Sequence, residues 1–287
     1  MSGLALLLVL AAAFVHASWN YLAKRAGGGA AFVWLFGMVS VLVYTPLALW
    51  LLAGRDWALS PEQLAFMGGT AVIHAAYFLL LQRGYRAGDL SLVYPLARGT
   101  GPLLATLAAI AYFGERPTVL ALAGAALVIG GILFMALRPR DVVRAATHPE
   151  AVGFGLLTGT MIACYTLWDK HAVAVLLIPP LVLDWASNLG RTLLVSPYAA
   201  RHWPRVREVW RTRRREAIAV GVLCPLSYIL VLTAMVFTPV SYVAPAREVS
   251  IVIAALFGAH LLSEPDAGRR LAGAAAIVLG VVALALG

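Results

Sequence analysis

Long apolar runs make up most of the chain, and short polar, charged or glycine-rich stretches separate them. Each run holds roughly 20 residues, the length that an α-helix needs to cross a hydrocarbon core about 30 Å thick. Lipid offers no hydrogen bonds to the backbone, so a spanning segment must satisfy its own, which favours helices. The pattern predicts an all-α polytopic membrane protein with ten transmembrane helices, near residues 3–23, 30–53, 62–82, 89–113, 117–137, 151–174, 178–198, 216–237, 240–262 and 267–286.

Composition supports a membrane protein and excludes a soluble one. The 287 residues are 62% hydrophobic and 12% charged, whereas soluble domains are about 45–50% apolar and about 25% charged. So few charges cannot cover a water-soluble surface of this size, which excludes soluble enzymes and DNA-binding domains. Cys164 and Cys224 are the only cysteines, and both lie in apolar runs. They match no disulfide framework and no metal-ligand spacing, and we expect no metal and no cofactor.

The chain repeats itself at an offset of 149 residues. Three pairs of uncommon residues match at this offset: Trp19 with Trp168, Arg98 with Arg247, and Glu115 with Glu264. Residues 1–149 and 150–287 therefore form two five-helix repeats. Because five is an odd number, the second repeat must enter the membrane from the opposite side. Inverted repeats of this kind are characteristic of secondary transporters, in which they place related half-sites around one central cavity.

The positive charges predict how the helices are oriented in the membrane. Of the 22 lysines and arginines, 16 lie in the odd-numbered loops, three in the even-numbered loops and three within spans. Lys and Arg accumulate in the cytoplasmic loops of membrane proteins. The odd-numbered loops are therefore predicted to be cytoplasmic, and both termini to lie outside.

The seventh loop, residues 199–216, is the most basic segment of the chain, with seven arginines. Trp203, Val206 and Trp210 share one helical face within it. An amphipathic helix with aromatic and basic faces is typical of a segment that lies on anionic lipid. We therefore expect the bilayer, and no nucleic acid, as the partner of this loop.

Arg98 and Arg247 are two of the three arginines inside predicted spans, where a charged side chain costs about 2.5–3.5 kcal/mol on insertion scales. Arg98 is flanked by Pro95 and Pro102, and Pro245 precedes Arg247. Proline frees backbone carbonyls, which membrane proteins tolerate where the backbone lines a cavity. Two guanidinium groups related by pseudo-symmetry can hold a carboxylate, phosphate or phosphonate in a bidentate fork.

Internal ion pairing is the alternative role for these two arginines. Glu248 follows Arg247 directly, but neighbouring residues on an α-helix do not face each other. Glu248 is therefore an unfavourable direct partner of Arg247, and an acid on another helix remains open as the partner.

Aromatic and hydrogen-bonding residues share one face of the first span and of the sixth. These faces are formed by His16, Trp19 and Asn20, and by Tyr165, Trp168 and Asp169. Such groups suit a cavity for a small organic molecule. Anchoring at the membrane interface is the alternative for the two tryptophans. Further candidates for the cavity wall are His74, Tyr77, Tyr94 and Tyr228.

A polar stripe lies along the seventh span, with Asp184, Asn188 and Arg191 at spacings of four and three residues. A buried acid is a candidate carrier of a coupling proton, since burial disfavours the charged carboxylate. The alternative, which we favour, is that Asp184 is held by hydrogen bonds to an arginine and has a structural role. Four prolines within spans, Pro95, Pro102, Pro225 and Pro245, are candidate flexible points for gating.

Several motifs resemble those of the drug/metabolite transporter superfamily, specifically its EamA type with two five-helix repeats. The motifs are His16-Ala17-Ser18-Trp19-Asn20, the stretch from Tyr94 to Pro102, Phe113-Gly114-Glu115-Arg116-Pro117 followed by Gly124, and Leu262-Ser263-Glu264-Pro265 followed by Gly273. The resemblance covers essentially the whole chain. It implies a ten-helix transporter of small metabolites with a central cavity between the halves and the last helix of each half at the periphery. It also implies cytoplasmic termini, which disagrees with the charge count.

These observations predict a secondary transporter, an exporter or exchanger in a bacterial inner membrane, and not an enzyme. Its substrate would be a small anionic or zwitterionic metabolite, such as an amino acid or an organic phosphate or phosphonate, moved by alternating access. A monomer is compatible with this function. The alternatives are a non-transporting membrane partner or scaffold subunit and an intramembrane enzyme. The costly buried arginines disfavour a scaffold, and the absence of Gly-x-Ser-x-Gly and His-Glu-x-x-His motifs disfavours an enzyme.

Overall fold

A computed structural model describes residues 1–27, 29–54, 58–87, 90–136, 149–255 and 267–287. Within these residues the chain forms ten helices. The first five are α1 (Gly3–Ala26), α2 (Gly29–Ala53), α3 (Pro61–Ala87), α4 (Leu90–Phe113) and α5 (Val119–Ala136). The second five are α6 (Pro149–Ala174), α7 (Pro180–Arg201), α8 (Trp203–Phe237), α9, which begins with Val240–Ala246, and α10 (Ala267–Leu286). Glu264 and the rest of the Leu262–Pro265 motif lie outside the described residues.

Every predicted span coincides with a helix in the described part of the chain. Seven of these helices are long and apolar enough to cross a membrane by length and composition. The other three helices are not among these seven. α5 is apolar but shorter, α7 carries the polar stripe, and α9 is interrupted. The all-α architecture predicted from the apolar runs is therefore confirmed.

Helix α8 begins earlier than the predicted eighth span, because the basic segment is helical and continues into it. A kink at Arg213, with φ of −131° and ψ of 21°, separates the two parts. Val206 packs in an apolar cluster with Phe32 of α2, while Trp203 and Trp210 remain 47% and 40% exposed. The apolar face of the segment is therefore divided between contact with the protein and the outer surface.

Helix α9 is interrupted after its seventh residue, Ala246. Pro245 lacks the amide hydrogen of a helical bond, and the backbone tightens after Ala246 into a 3₁₀ turn, Arg247–Val249. Helix resumes over residues 250–255. The arginine predicted to lie in a regular span therefore lies at a change of helix type.

The helix packing follows the pseudo-two-fold symmetry of an inverted repeat. α1 packs on α8 as α6 packs on α3, while α2 crosses its own counterpart α7 and α5 pairs with α10. At the α2–α7 crossing, the Trp34 indole donates a 3.0 Å hydrogen bond to the Ser196 hydroxyl. The Trp185 indole donates an equivalent 2.9 Å bond to the Thr45 hydroxyl. These two bonds repeat each other with the roles of the helices exchanged.

Candidate functional site

A cavity of about 180 Å³ lies at the centre of the bundle. Both repeats contribute to its wall, through α1, α3 and α4 of the first and α6, α7, α8 and α9 of the second. Its polar and aromatic lining consists of His16, Trp19, His74, Tyr77, Arg98, Tyr165, Asp184, Ser187, Asn188, Arg191, Cys224, Ser227, Tyr228, Arg247 and Ser250. No residue of α5 or α10 lines it, which agrees with the peripheral place expected for the last helix of each half.

One buried carboxylate joins the two repeat-related arginines at the cavity. Glu248 is 0% exposed, and its Oε2 lies 3.0 Å from Nη2 of Arg98. Its Oε1 lies 3.3 Å from Nε of Arg247. Two secondary contacts complete the cluster, in which Arg98 donates to the Ser250 hydroxyl and Arg247 to the Tyr165 hydroxyl, both at 3.4 Å.

The expectation that Glu248 is an unfavourable partner of Arg247 is wrong. That expectation treats the divergence of adjacent side chains around a helix, about 100° in an α-helix, as too large for an ion pair. Arg247 and Glu248 lie in the 3₁₀ turn after Pro245, where adjacent side chains diverge by about 120°. The two side chains are long enough to span this separation. The sequence did indicate that Glu248 needs a buried partner, since an acid in the middle of an apolar run is as costly as an arginine.

Asp169 lies behind the cavity wall and ties three helices together. It is 0% exposed and accepts hydrogen bonds from the Thr70 hydroxyl and, at 2.6 Å, from the Tyr228 hydroxyl. His74 Nε2 lies 3.0 Å from Oδ2 of the same carboxylate. Asp169 is therefore not a lining residue as predicted. It positions two residues that do line the cavity, His74 on α3 and Tyr228 on α8.

The polar stripe of α7 forms a chain of hydrogen bonds along one side of the cavity. The Asn188 amide donates a 2.8 Å bond to Oδ2 of Asp184. The same side chain accepts a 2.5 Å bond from Nη2 of Arg191 through its amide oxygen. Asp184 is thus linked to Arg191 only through Asn188, whereas the favoured prediction has hydrogen bonds between Asp184 and an arginine. Its role, structural or coupling, stays a prediction.

Tyr165 stands at the centre of the aromatic part of the wall. Its ring centroid lies 4.3 Å from that of His74, 5.6 Å from that of Tyr77 and 6.2 Å from that of Tyr228. On α1, the His16 and Trp19 rings meet edge to face at 4.9 Å, and the Trp19 indole donates to the Ser227 hydroxyl. The wall can therefore hold an apolar or aromatic body beside the charged groups.

Three other predicted residues do not line the cavity. Asn20 donates its amide hydrogen to the His16 carbonyl of its own helix. Tyr94 is 36% exposed, although its ring centroid lies 5.8 Å from the guanidinium carbon of Arg98. Trp168 stacks on the Phe66 ring at 4.2 Å and donates to the Phe66 carbonyl. Helix rotation decides these outcomes, because a residue three or four positions from a lining residue needs only a small rotation of its helix to face a neighbouring helix.

The four prolines proposed as flexible points are buried inside helices. Pro95 and Pro102 lie in α4, Pro225 in α8 and Pro245 in α9. Among these four, only Pro245 lies within two residues of a change of helix type. Their role in gating stays a prediction.

Two charged residues hold the turn between α8 and α9, and so place the start of the helix that carries Arg247. The Glu115 carboxylate accepts hydrogen bonds from the backbone amides of Val240 at 2.7 Å and Ser241 at 2.9 Å. Lys170 donates to the carbonyls of Met235 at 2.6 Å and Thr238 at 3.0 Å. A carboxylate at the first amides and an ammonium group at the last carbonyls satisfy the unpaired groups of helix ends.

Sequence reasoning missed several small polar residues of the wall. Ser187, Ser227 and Ser250 occupy faces that only the packed helices define, and Cys224 stands in the sequence only as a cysteine within an apolar run. Their one signal was a small polar side chain in an apolar run, which is common in membrane helices for packing reasons. Within the ranges that the structure describes, no group of three or more His, Cys, Asp and Glu side chains could hold a metal ion.

Comparison with known proteins agrees with this architecture. A family model described as the EamA-like transporter family matches residues 3–137 and again residues 150–286. No curated protein matches the chain. A solved structure described only as a crystal structure of a protein matches 100% of this chain and 98% of its own, with a TM-score of 0.78 and 15% identity. That likeness concerns the fold alone. Because the family model matches both halves of the chain, this protein belongs to the EamA-like transporter family of multi-pass membrane transporters.

Proposed function

We propose that the protein is a secondary transporter that moves a small anionic or zwitterionic metabolite, such as an amino acid or an organic phosphate or phosphonate, by alternating access. It would act as an exporter or exchanger in a bacterial inner membrane. The observation that carries the proposal is the placement of Arg98 and Arg247, which come from equivalent positions of the two repeats and face the same cavity.

The charge of the cavity supports an anionic group on the substrate. Among the described residues, Arg98 and Arg247 make ion-pair contact with one carboxylate only, that of Glu248. The two guanidinium groups therefore retain an excess of one positive charge. A substrate carboxylate or phosphate can balance this charge, and charge-assisted hydrogen bonds to Arg are about twice as strong as neutral ones.

The remaining wall supports a small molecule with an apolar part. The cavity volume of about 180 Å³ lies below the roughly 300–1,000 Å³ of pockets for drug-sized ligands. Tyr165, His74 and Tyr228 offer ring faces and edges, and Asp184 on the α7 side offers a carboxylate to an ammonium group. An amino acid combines these features in one molecule.

The experiment is transport into proteoliposomes with a radiolabelled panel of L-phenylalanine, L-glutamate, phenylphosphonate and a hexose phosphate. We expect wild-type protein to transport at least one compound, and the Arg98→Ala/Arg247→Ala double variant to lose that transport. Arg116→Ala, which changes an exposed arginine that does not line the cavity, serves as the control. Unchanged transport by the double variant would remove the two arginines from the substrate site.

A further inference from the structure

Glu248 has no counterpart in the first repeat. The position equivalent to Arg247 is Arg98, but the position equivalent to Glu248 is Gly99. The pseudo-symmetric site therefore contains two cations and one anion, and this anion comes from the second repeat alone. Symmetry would give each arginine its own partner, whereas here one carboxylate serves both.

The contact between Glu248 and Arg98 leaves hydrogen-bonding capacity unused. Among the described residues, the buried Nε of Arg98 has no hydrogen-bond partner. The buried Oε2 of Glu248 has no well-aligned hydrogen bond to any of them, although it lies 3.0 Å from Nη2 of Arg98. A buried donor without a partner is costly, because it has lost its hydrogen bonds to water without replacement. Arg98 thus has a free donor for a further anion at the wall of the cavity.

The cost of an unbalanced charge differs between the empty and the loaded transporter. Any charge that is carried through a conformational change in a low-dielectric interior is costly unless an opposite charge accompanies it. In the empty protein Glu248 is the only described carboxylate that compensates the two arginines. In the loaded protein the anionic group of the substrate provides a second compensating charge.

We infer that Glu248 is the internal counter-ion of the empty transporter. Its carboxylate compensates Arg98 and Arg247 while the unloaded cavity reorients, and a substrate anion replaces it as the partner of Arg98, leaving Glu248 paired with Arg247. This inference rests on the proposed function and adds a step to it, because it assigns Glu248 to the return of the empty protein and not to substrate recognition.

The step has a consequence that substrate binding alone would not produce. Exchange of one substrate molecule for another uses only the loaded protein, in both directions. Net transport requires the empty protein to return. Removing the charge of Glu248 should therefore impair net transport much more than exchange.

The test compares these two modes in proteoliposomes for each of the four compounds in the panel. Net uptake is measured into vesicles without internal substrate, and exchange into vesicles preloaded with the same compound. For Glu248→Gln we expect exchange within about twofold of wild type and net uptake lower by about tenfold or more, since the removal of one partner leaves buried charge uncompensated. Glu248→Asp, which keeps the charge on a shorter side chain, should recover part of the net uptake.

Two controls accompany the comparison. Glu208→Gln removes an exposed carboxylate of the basic segment and should change neither mode. If Glu248→Gln alone does not fold, the Arg98→Gln/Glu248→Gln double variant, which removes one charge of each sign, carries the test. Its expected result is a raised KM with a wild-type ratio of net uptake to exchange, and a ratio lowered about tenfold would overturn the inference.

Equal losses of net uptake and exchange in folded Glu248→Gln would overturn the inference while leaving the proposed function in place. Undiminished net uptake would do the same. If wild-type protein transports no compound in either mode, the proposed function fails, and this inference fails with it.

Discussion

Gly124 of α5 and Gly280 of α10 meet backbone to backbone. A Cβ atom built on Gly124 would lie 2.6 Å from the Gly280 carbonyl oxygen, and one built on Gly280 would lie 2.6 Å from the Gly124 carbonyl oxygen. Gly131 and Gly273 repeat this reciprocal contact further along the same pair of helices. Small residues let membrane helices approach closely and pack without polar side chains. The contact holds the two repeats together at their periphery, away from the cavity.

Gly124→Ala should therefore destabilise the protein, because the added methyl group meets backbone that cannot move without separating α5 from α10. We expect a loss of about 1–3 kcal/mol, typical of overpacking, visible as a lower thermal unfolding midpoint in detergent. Gly130→Ala on the same helix is the matched control, since a Cβ there would have no neighbour within 4 Å in the part of the chain that the structure describes. Equal midpoints for the two variants would contradict the close approach.

Asp169→Asn should destabilise the contact between α6, α3 and α8. The amide offers one acceptor oxygen where the carboxylate offers two, and its NH₂ group faces hydroxyl donors from Thr70 and Tyr228. An unsatisfied buried group of this kind costs about 1–3 kcal/mol. The thermal midpoint measures this loss, with Glu150→Gln at the exposed start of the same helix as control. A midpoint as high as that of the control would show that the carboxylate charge is dispensable.

Glu115→Gln should loosen the start of α9. Only one side-chain oxygen would remain to accept from the amides of Val240 and Ser241, and loss of a helix cap costs about 0.5–2 kcal/mol. Hydrogen exchange of these two amides should accelerate, while exchange in α6 stays unchanged. Glu62→Gln, in the exposed first turn of α3, is the control. Unaltered amide protection would mean that Glu115 does not hold this turn.

Reporter fusions test the orientation predicted from the positive charges. A reporter fused after Gly287 should show the activity characteristic of the outside, as should one fused to the even-numbered loop at Arg116. A reporter in the basic segment at Arg207 should show cytoplasmic activity. The reverse pattern would favour the cytoplasmic termini implied by the family resemblance and would make the charge count of the loops misleading for this protein.

The basic segment at the start of α8 should bind anionic lipid. Arg207 and Arg211 are exposed beside Trp203 and Trp210, and each basic residue near an anionic membrane contributes about 1 kcal/mol. In nanodiscs, phosphatidylglycerol should raise the thermal midpoint of wild-type protein more than that of Arg207→Ala/Arg211→Ala. Arg116→Ala, on an even-numbered loop, should respond as wild type does. An equal response of all three proteins would exclude this segment as the lipid contact.

Much of the cavity could be predicted from residue type alone. His16, Trp19, His74, Tyr77 and Arg98 of the first repeat all line it. They stood out because polar and aromatic side chains inside apolar helices usually face protein or a cavity and not lipid. Trp168 satisfied the same criterion and does not line the cavity, because its indole found a carbonyl partner on Phe66 of α3.

The sequence by itself determined that the chain lies in a lipid bilayer, where its helices are, and that it contains two repeats. Apolar runs of membrane-spanning length are a local property of the chain, and the match between Arg98 and Arg247 survives at a fixed offset because both halves keep the same helix order. Only the tertiary structure decided which partners the buried charges have. Glu248 reaches Arg98 because α9 packs against α4, and it reaches Arg247, its neighbour in the 3₁₀ turn, through the length of the two side chains. Such a contact depends on the rotation of two helices far apart in sequence, and no pattern within either helix records it.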